Sequence, residues 1–253
     1  MTREQKLQLA NTAPAWMYEF DLGDGIRTPL LDEELRSIHQ TREQMVLSSI
    51  REVFPESLAG KNALDVACNE GYFSQMLFHL GATVRAIDIR EQNIERARVI
   101  QSLYGLDTGR LIFEVGDFLE NRDPERSYDL TLFLGVLYHL ENPMGALRLL
   151  RRVTKTLCIV ETQLTRFNTA VENGWGREGE TLHLPASLAI HQETDMEQNR
   201  LASHRSLSFI PNIAAVRKML EAAGFSKVTP VAAQPGMNPQ YLNHDRGVFL
   251  AFV

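Results

Sequence analysis

The sequence predicts an α/β fold in which a mostly parallel sheet carries helices on both faces. Short apolar runs alternate with amphipathic helical patterns from residue 63 to residue 162, as expected for consecutive strand–helix units. Two more strand-like runs close the chain, at 227–231 and 247–253. We therefore expect five parallel strands followed by an antiparallel C-terminal hairpin, which together form a seven-stranded sheet.

Each predicted strand and helix follows from a local pattern in the sequence. Strands are predicted where apolar residues run without interruption, at 63–67, 83–88, 111–115, 128–135 and 156–162. Helices are predicted where apolar residues recur every three or four positions, at 32–54, 72–80, 92–104 and 143–151. A last helix is predicted between Asn212, an N-cap residue type, and Gly224, a helix-stop residue type.

We interpret the chain as one domain with two additions. Residues 56–253 form the main domain, and residues 1–55 form an N-terminal extension and helix that pack over a cofactor cleft. Trp16 and Tyr18 belong to an alternating aromatic segment that covers the edge of the core, and that could also contact a substrate. From about 164 to 208 the apolar period is interrupted, which indicates an insertion or lid.

Composition excludes several classes of protein. The net charge of −6 over 253 residues argues against an extended nucleic-acid surface, which is usually basic. The chain has no apolar stretch of about 18 residues and no signal-peptide pattern. Cys68 and Cys158 fall in predicted buried strands or at their ends, which indicates core thiols in a reducing compartment. These features predict a cytoplasmic protein without a membrane partner.

Residues 62–74 are the most informative stretch. The apolar strand ends at Asn69-Glu70-Gly71, and a helix pattern follows, so backbone N–H groups collect at a strand's carboxyl end. The next strand ends in Asp88, whose carboxylate could accept hydrogen bonds from both hydroxyls of a ribose. The third ends near Asp117 and Phe118, which could bind and pack against an adenine, or could be a turn acid beside a core aromatic. Together these features predict a nucleoside-cofactor site.

A pyrophosphate is a poor fit to this site. A dinucleotide loop would need three glycines, whereas Ala67 and Asn69 occupy two of those positions and only Gly71 remains. Asp65 would repel a pyrophosphate and would suit a cationic tail, such as the sulfonium and ammonium groups of S-adenosylmethionine. The alternative is that the stretch is simply one turn of an α/β domain.

Several motifs in order resemble those of class I S-adenosylmethionine-dependent methyltransferases. Residues 64–72 resemble motif I, Ala86-Ile87-Asp88 the ribose acid, and Gly116-Asp117-Phe118 the adenine motif. Residues 135–143, 160–162 and 209–211 are similar to the branch that contains the bacterial tRNA wobble-uridine carboxymethyltransferase and related small-molecule enzymes. The resemblance implies a Rossmann-like methyltransferase sheet and S-adenosylmethionine as cofactor. The implied cofactor residues are Asp65, Ala67, Asn69, Gly71, Asp88, Ile89, Asp117, Phe118, Leu134 and Gly135.

The catalytic candidates follow the fourth and fifth strands. His139 is the first candidate for a general base, because its pKa range suits proton transfer and it lies just past a strand end. Its alternative role is packing against the methionine part of the cofactor. Glu161 is the second candidate, as a base or as a stabiliser of positive charge, and Tyr138 could orient cofactor or acceptor. We expect all three side chains to project into the cleft.

The predicted function is methyl transfer to an oxygen, nitrogen or carbon atom of a small-molecule acceptor. The alternative, a tRNA-modifying methyl- or carboxymethyltransferase, would require a basic face, and the lid arginines (Arg166, Arg177, Arg200 and Arg205) are too few and too mixed with acids. A non-catalytic cofactor-binding protein is a third possibility. No metal site is expected, because the insertion histidines (His183, His191 and His204) match no compact zinc spacing.

Overall fold

The computed structural model describes residues 1–12, 15–120, 123, 125–167, 169–172, 181–184, 186–192 and 207–253. Its helices are α1 (Arg3–Ala10), α2 (Glu34–Val53), α3 (Tyr72–His79), α4 (Glu91–Leu103), α5 (Pro143–Val153), α6 (Ile213–Ala223) and α7 (Pro239–Leu242). Its first strands are β1 (Asp21–Gly23), β2 (Ile26–Arg27), β3 (Asn62–Val66), β4 (Thr83–Asp88), β5 (Leu111–Val115), β6 (Tyr128–Leu134) and β7 (Thr154–Gln163). The remaining strands are β8 (Thr169–Glu172), β9 (Thr181–Leu184), β10 (Leu188–Gln192), β11 (Leu207–Pro211), β12 (Lys227–Val231) and β13 (Arg246–Phe252).

Seven strands form the central sheet in the order β12-β13-β7-β6-β3-β4-β5. Strands β3 to β7 are parallel to one another, and β13 runs antiparallel between β7 and β12. The predicted fold class is confirmed, including the antiparallel C-terminal pair. Because β4 and β5 lie on one side of β3 while β6 and β7 lie on the other, the strand order reverses between β3 and β6, which is where open α/β sheets bind ligands.

Helices cover both faces of the sheet, as the unbroken apolar strands require. On one face, α2, α3 and α4 pack in a buried cluster that includes Met45, Leu77 and Ile94. On the other, α5 and α6 pack in a second cluster that includes Leu147 and Val216. The sheet is therefore buried between two helical layers, and its ligand sites lie at the strand ends.

The helix ends follow the residue types in the sequence. The side chain of Asn212 accepts a hydrogen bond from the backbone N–H of Ala215 at 2.8 Å, which caps α6 as predicted. Gly224 ends the same helix with a φ of 103°, a left-handed conformation that favours glycine. Asn142 caps α5 in the same way, and Pro143 occupies its first turn.

The predicted N-terminal extension shares the core of the main domain. Trp16 is fully buried, and the guanidinium of Arg96 lies 4.6 Å from the centre of its ring. Tyr18 is also buried and stacks on Tyr72 at the start of α3, with 5.0 Å between ring centres. Trp16 thus covers the core edge, while Tyr18 covers the core and also reaches the cavity described below.

The predicted lid contains two strand pairs, β8 with β9 and β10 with β11. Asn212 ties the second pair to α6, because its backbone N–H donates to the carbonyl of Ser187 at 3.0 Å. Several residues named above (Arg177, Arg200, His204, Arg205 and the side chain of His183) lie outside the described residues. In the described part of the chain, no helix combines the length and apolar character that a membrane crossing requires.

Candidate active site

A cavity of about 710 Å³ opens at the carboxyl ends of the parallel strands. This volume falls within the range of about 300–1,000 Å³ that is usual for small-molecule and cofactor sites. The ends of β3, β4, β6 and β7 and the residues after β5 line one part of it, and Met17, Tyr18, α2, β10, β11 and β13 line other parts. The predicted site residues in its wall are Ala67, Asn69, Asp88, Ile89, Asp117, Phe118, Leu134, Gly135, Tyr138 and His139.

The loop after β3 adopts an unusual backbone conformation. Ala67, Asn69 and Gly71 all have positive φ angles, of 56°, 51° and 80°. A left-handed conformation costs an L-residue about 1–2 kcal/mol, so Ala67 and Asn69 occupy positions where glycine would be unstrained. The loop thus keeps a glycine-type conformation with a glycine at only one of the three positions.

Asp88 is held by this loop and by the start of the next helix. Its carboxylate accepts hydrogen bonds from the backbone N–H groups of Asn69 at 2.8 Å and Arg90 at 2.9 Å, and from the Asn93 side chain at 3.2 Å. Burial raises the pKa of Asp88, and these hydrogen bonds act in the opposite direction. Asp88 therefore fixes the loop while its side chain faces the cavity.

Asp117 and Phe118 occupy the neighbouring wall. One carboxylate oxygen of Asp117 accepts the backbone N–H of Leu119 at 2.8 Å and so begins a short 3₁₀ helix at Phe118–Glu120. Phe118 is buried, with its ring 6.4 Å from that of Phe133. The structural role of a turn acid beside a core aromatic is therefore present, and both residues also line the cavity.

Tyr138 and His139 lie in a 3₁₀ helix, Leu137–His139, immediately beyond β6. Their rings lie 4.1 Å apart between centres, and both line the cavity as expected. Burial raises the pKa of the Tyr138 hydroxyl, and Arg246 acts against that effect. Tyr138 is therefore a neutral hydrogen-bonding group near neutral pH.

Glu161, the second catalytic candidate, lies next to Gly135 of the cavity wall, since one of its carboxylate oxygens is 3.8 Å from the position that a Cβ on Gly135 would occupy. Its side chain is fully buried, and it is absent from the described residues that line the cavity. Strand β7 continues to Gln163, so Glu161 lies inside the strand, and Gln163 reaches the cavity instead.

The Glu161 carboxylate is held below the cavity by three neighbours. It accepts a hydrogen bond from the Tyr241 hydroxyl at 2.8 Å and pairs with Arg246 at 3.2 Å and Arg42 at 3.3 Å. Burial alone would raise the pKa of Glu161, but the two guanidinium groups hold it below its usual value. A carboxylate held in this way is a weak base.

Asp65 and Gly71 also lie outside the described cavity wall. Asp65 accepts a hydrogen bond from the Ser74 hydroxyl at 2.6 Å inside the β3–α3 unit, and burial raises its pKa to about 7. Gly71 begins α3 beside Phe113, where an added Cβ would lie 2.6 Å from the ring. Both residues therefore support the conformation of the loop after β3 without lining the cavity.

Sequence comparison agrees with this geometry. The methyltransferase domain family matches residues 38–229. The chain belongs to the class I S-adenosylmethionine-dependent methyltransferases. Among curated relatives, ubiquinone biosynthesis O-methyltransferase of Proteus mirabilis is 29% identical over 127 residues, which are 49% of each chain. The tRNA U34 carboxymethyltransferase of Haemophilus influenzae is 27% identical over 172 residues, 68% of this chain and 47% of the relative. The chain therefore spans about half the length of the curated relatives that it matches.

Solved structures of other proteins share the fold. The N-terminal domain of EvdMO1, solved in the presence of S-adenosylhomocysteine and D-fucose, superposes with a TM-score of 0.66 at 18% identity, covering 99% of this chain and 95% of that chain. Magnesium protoporphyrin IX methyltransferase of Synechocystis, solved with bound S-adenosylmethionine, gives a TM-score of 0.57 at 18% identity, covering 91% and 86%.

The cavity wall of this methyltransferase fits the cofactor of its family. The side-chain oxygen of Asn69 is buried and has no hydrogen-bond partner among the described residues. A buried acceptor without a partner is costly, and an ammonium group in the cavity would supply the missing donor. The carboxylate of Asp88 offers the acceptor that ribose hydroxyls require.

The charged and titratable residues His39, Arg42 and Arg246 are among the cavity residues that the sequence did not predict. His39 and Arg42 come from α2 and Arg246 from β13, so the two arginines are separated by 204 positions in the chain. One signal was present, because Arg42 is four residues from both Ile38 and Val46 and so lies on the apolar side of its helix. Among the described residues, no three His, Cys, Asp or Glu side chains group closely enough to hold a metal ion.

Proposed function

We propose that the chain transfers a methyl group from S-adenosylmethionine to a small-molecule acceptor. The observation that carries this proposal is one cavity whose wall contains both the strand-end acids, Asp88 and Asp117, and the polar corner at Tyr138 and His139. Cofactor and acceptor would therefore share one cavity, as an in-line substitution requires.

The cofactor would bind along the ends of β3, β4 and β5. Asp88 would accept from the ribose hydroxyls, Asp117 and Phe118 would hold the adenine, and Asn69 with Gly135 would face the methionine portion. S-adenosylmethionine supplies a methyl group that its sulfonium has already activated. The protein's task is then to align the acceptor, exclude water and accept a proton.

His139 remains the best candidate for the proton acceptor, because it lines the cavity beside Tyr138. Tyr138 would orient the acceptor by a hydrogen bond. For Glu161 we propose a positioning role, since its carboxylate is buried and pairs with Arg42 and Arg246.

A small molecule fits the surroundings of the cavity better than tRNA does. Met17 and Tyr18 cover one side, and His191, Ser208 and Ile210 of β10 and β11 cover another. The net charge of −6 would also repel a phosphate backbone. A tRNA substrate is the second candidate, favoured only by the relative of that name, which matches 68% of this chain. The two free, buried cysteines, Cys68 and Cys158, support a reducing, cytoplasmic location.

The test is transfer of labelled methyl groups from S-adenosylmethionine to a pool of small metabolites and, separately, to unmodified tRNA. Labelling in the small-molecule fraction that falls about 100-fold or more in His139→Gln would support the proposal. A surface variant, His244→Gln, is the matched control, because His244 is exposed and is absent from the described cavity wall. Labelling of tRNA alone would overturn the proposal of a small-molecule acceptor. Unchanged turnover in His139→Gln would overturn the assignment of His139 as the proton acceptor.

A further inference from the structure

The cavity wall also contains an unusual group of buried charges. Arg42 is 4% exposed, and the Arg246 side chain is 11% exposed, yet both residues line the cavity. Both guanidinium groups pair with the same carboxylate, that of Glu161. In the described part of the chain, neither arginine pairs with a second carboxylate, so two positive charges share one negative charge.

The neighbouring side chains do not neutralise this excess positive charge. Burial lowers the pKa of His39 to about 3, so its imidazole is neutral and cannot offset or add charge. Burial also raises the pKa of Tyr18 to about 12, so its hydroxyl stays protonated. The cluster therefore carries a net charge of about +1 beside the cavity, and a buried charge without a partner is costly.

The hydrogen bonds of Arg42 are long for a charged donor. Its guanidinium donates to the Tyr241 and Tyr18 hydroxyls at 3.3 Å each and to Glu161 at 3.4 Å. Charge-assisted hydrogen bonds from nitrogen to oxygen are usually about 2.7–2.9 Å. The protein groups thus hold this guanidinium loosely, although it is almost fully buried.

His39 supplies a second, independent indication of a ligand. Its side chain is 7% exposed, stacks against Tyr18 with ring centres 4.3 Å apart, and lines the cavity. Its Nε2 atom is buried and has no hydrogen-bond partner among the described residues. A bound ligand would provide the missing partner.

We infer that the acceptor carries a carboxylate, which binds between Arg42 and Arg246 within reach of His39 and Tyr138. A single carboxylate would balance the single excess charge, and its two oxygens match the forked donors of a guanidinium. The adjoining wall is apolar at Leu35, Ile38 and Ile210, which suits a hydrocarbon or aromatic body on the same molecule. This inference rests on the proposed function, since it describes the acceptor half of the same cavity.

The test uses the full chain saturated with S-adenosylhomocysteine, titrated calorimetrically with benzoate and phenylacetate and with the neutral amides of the same shape. We expect each carboxylate to bind at least tenfold more tightly than its amide. Arg246→Gln should reduce carboxylate affinity tenfold or more, while S-adenosylhomocysteine affinity stays within threefold. Arg246→Lys, which keeps the charge but loses the fork, should retain an intermediate affinity.

A surface control separates a specific site from general electrostatics. Arg217 pairs with Glu221 on α6 and is half-exposed, so Arg217→Gln should leave carboxylate binding unchanged. Equal binding of acids and amides, tighter binding of phenyl phosphate than of phenylacetate, or loss of S-adenosylhomocysteine affinity in Arg246→Gln would overturn the inference. Absence of S-adenosylhomocysteine binding in the wild type would instead overturn the proposed function beneath it.

Discussion

Glu70 joins the N-terminal segment to the cofactor loop, and replacing it by Gln removes one charge of a buried ion pair. One carboxylate oxygen accepts from Arg96 at 2.8 Å, and the other accepts from the backbone N–H groups of Met17 at 2.9 Å and Tyr18 at 3.1 Å. The side chains of Glu70 and Arg96 are 0% and 6% exposed. The loop, helix α4 and the segment that covers the cavity therefore meet at this carboxylate.

The expected cost follows from the burial. Removing one member of a buried ion pair costs about 3–5 kcal/mol, because the remaining charge loses its partner without regaining water. At about 2–4 °C per kcal/mol for a chain of this size, Glu70→Gln should lower the melting temperature by roughly 6–20 °C. Because Met17 and Tyr18 line the cavity, S-adenosylhomocysteine affinity should fall as well.

The assay is thermal unfolding and urea unfolding, each followed by circular dichroism, together with calorimetric titration of the folded variant. The control is Glu19→Gln, since Glu19 pairs with Arg27 and Arg36 in partly exposed ion pairs, and its loss should shift the melting temperature by about 3 °C at most. Adding Arg96→Met to Glu70→Gln should recover part of the stability, because it removes the buried positive charge that Glu70 no longer balances. A Glu70→Gln variant as stable as the Glu19 control would refute the reasoning.

Further predictions concern pH and the cofactor loop. Burial lowers the pKa of His39 from its unfolded value of about 6.5 to about 3, so His39 contributes a loss of stability as pH falls below about 6.5; relative to wild type, His39→Gln should lower the slope of the unfolding free energy against pH between pH 4 and 6 by about 1.4 kcal/mol per pH unit. Burial raises the pKa of Asp65 to about 7, so the folded state retains a proton that the unfolded chain loses, and Asp65 contributes a slope of the opposite sign between about pH 4 and 7; relative to wild type, Asp65→Asn should raise the slope by a similar amount in the same assay. Unchanged slopes in either variant would contradict the assignments. Gly71→Ala should destabilise the protein by roughly 2–5 kcal/mol, because Gly71 has a positive φ and an added Cβ would contact Phe113. Ala67→Gly should be neutral or stabilising by up to about 1 kcal/mol, because glycine adopts a positive φ without strain. Equal melting temperatures for these two variants would count against the loop geometry.

The sheet could be predicted because its strands are short, apolar and regularly separated. Strand ends then located the cofactor half of the cavity, since the carboxyl ends of parallel strands share one edge, and Asp88 and Asp117 follow directly. Glu161 was predicted by the same logic, and because β7 extends to Gln163, Glu161 lies inside the strand while Gln163 lines the cavity.

The other half of the cavity depends on contacts between distant segments. Arg42 and Arg246 come together only when α2 packs beside β13, and no sequence pattern within either element predicts this contact. The buried position of Arg42 on the apolar side of α2 was the available signal, since a charge placed there requires a partner. The left-handed conformation at Ala67 was equally hidden, because alanine does not favour it, whereas Asn69 belongs to a residue type that adopts it more often than most.

Calorimetric titration with S-adenosylmethionine and S-adenosylhomocysteine tests the central claim most directly. Wild-type protein should bind both with micromolar dissociation constants, and Asp88→Ala should weaken binding at least tenfold. The matched control is Asp129→Ala, because Asp129 is also buried and accepts a backbone N–H, that of Asn62 at 3.0 Å, at the start of β3, the end opposite the cavity. That variant should bind both compounds as the wild type does. Absence of binding by the wild-type protein, or equal losses in the two variants, would contradict the account.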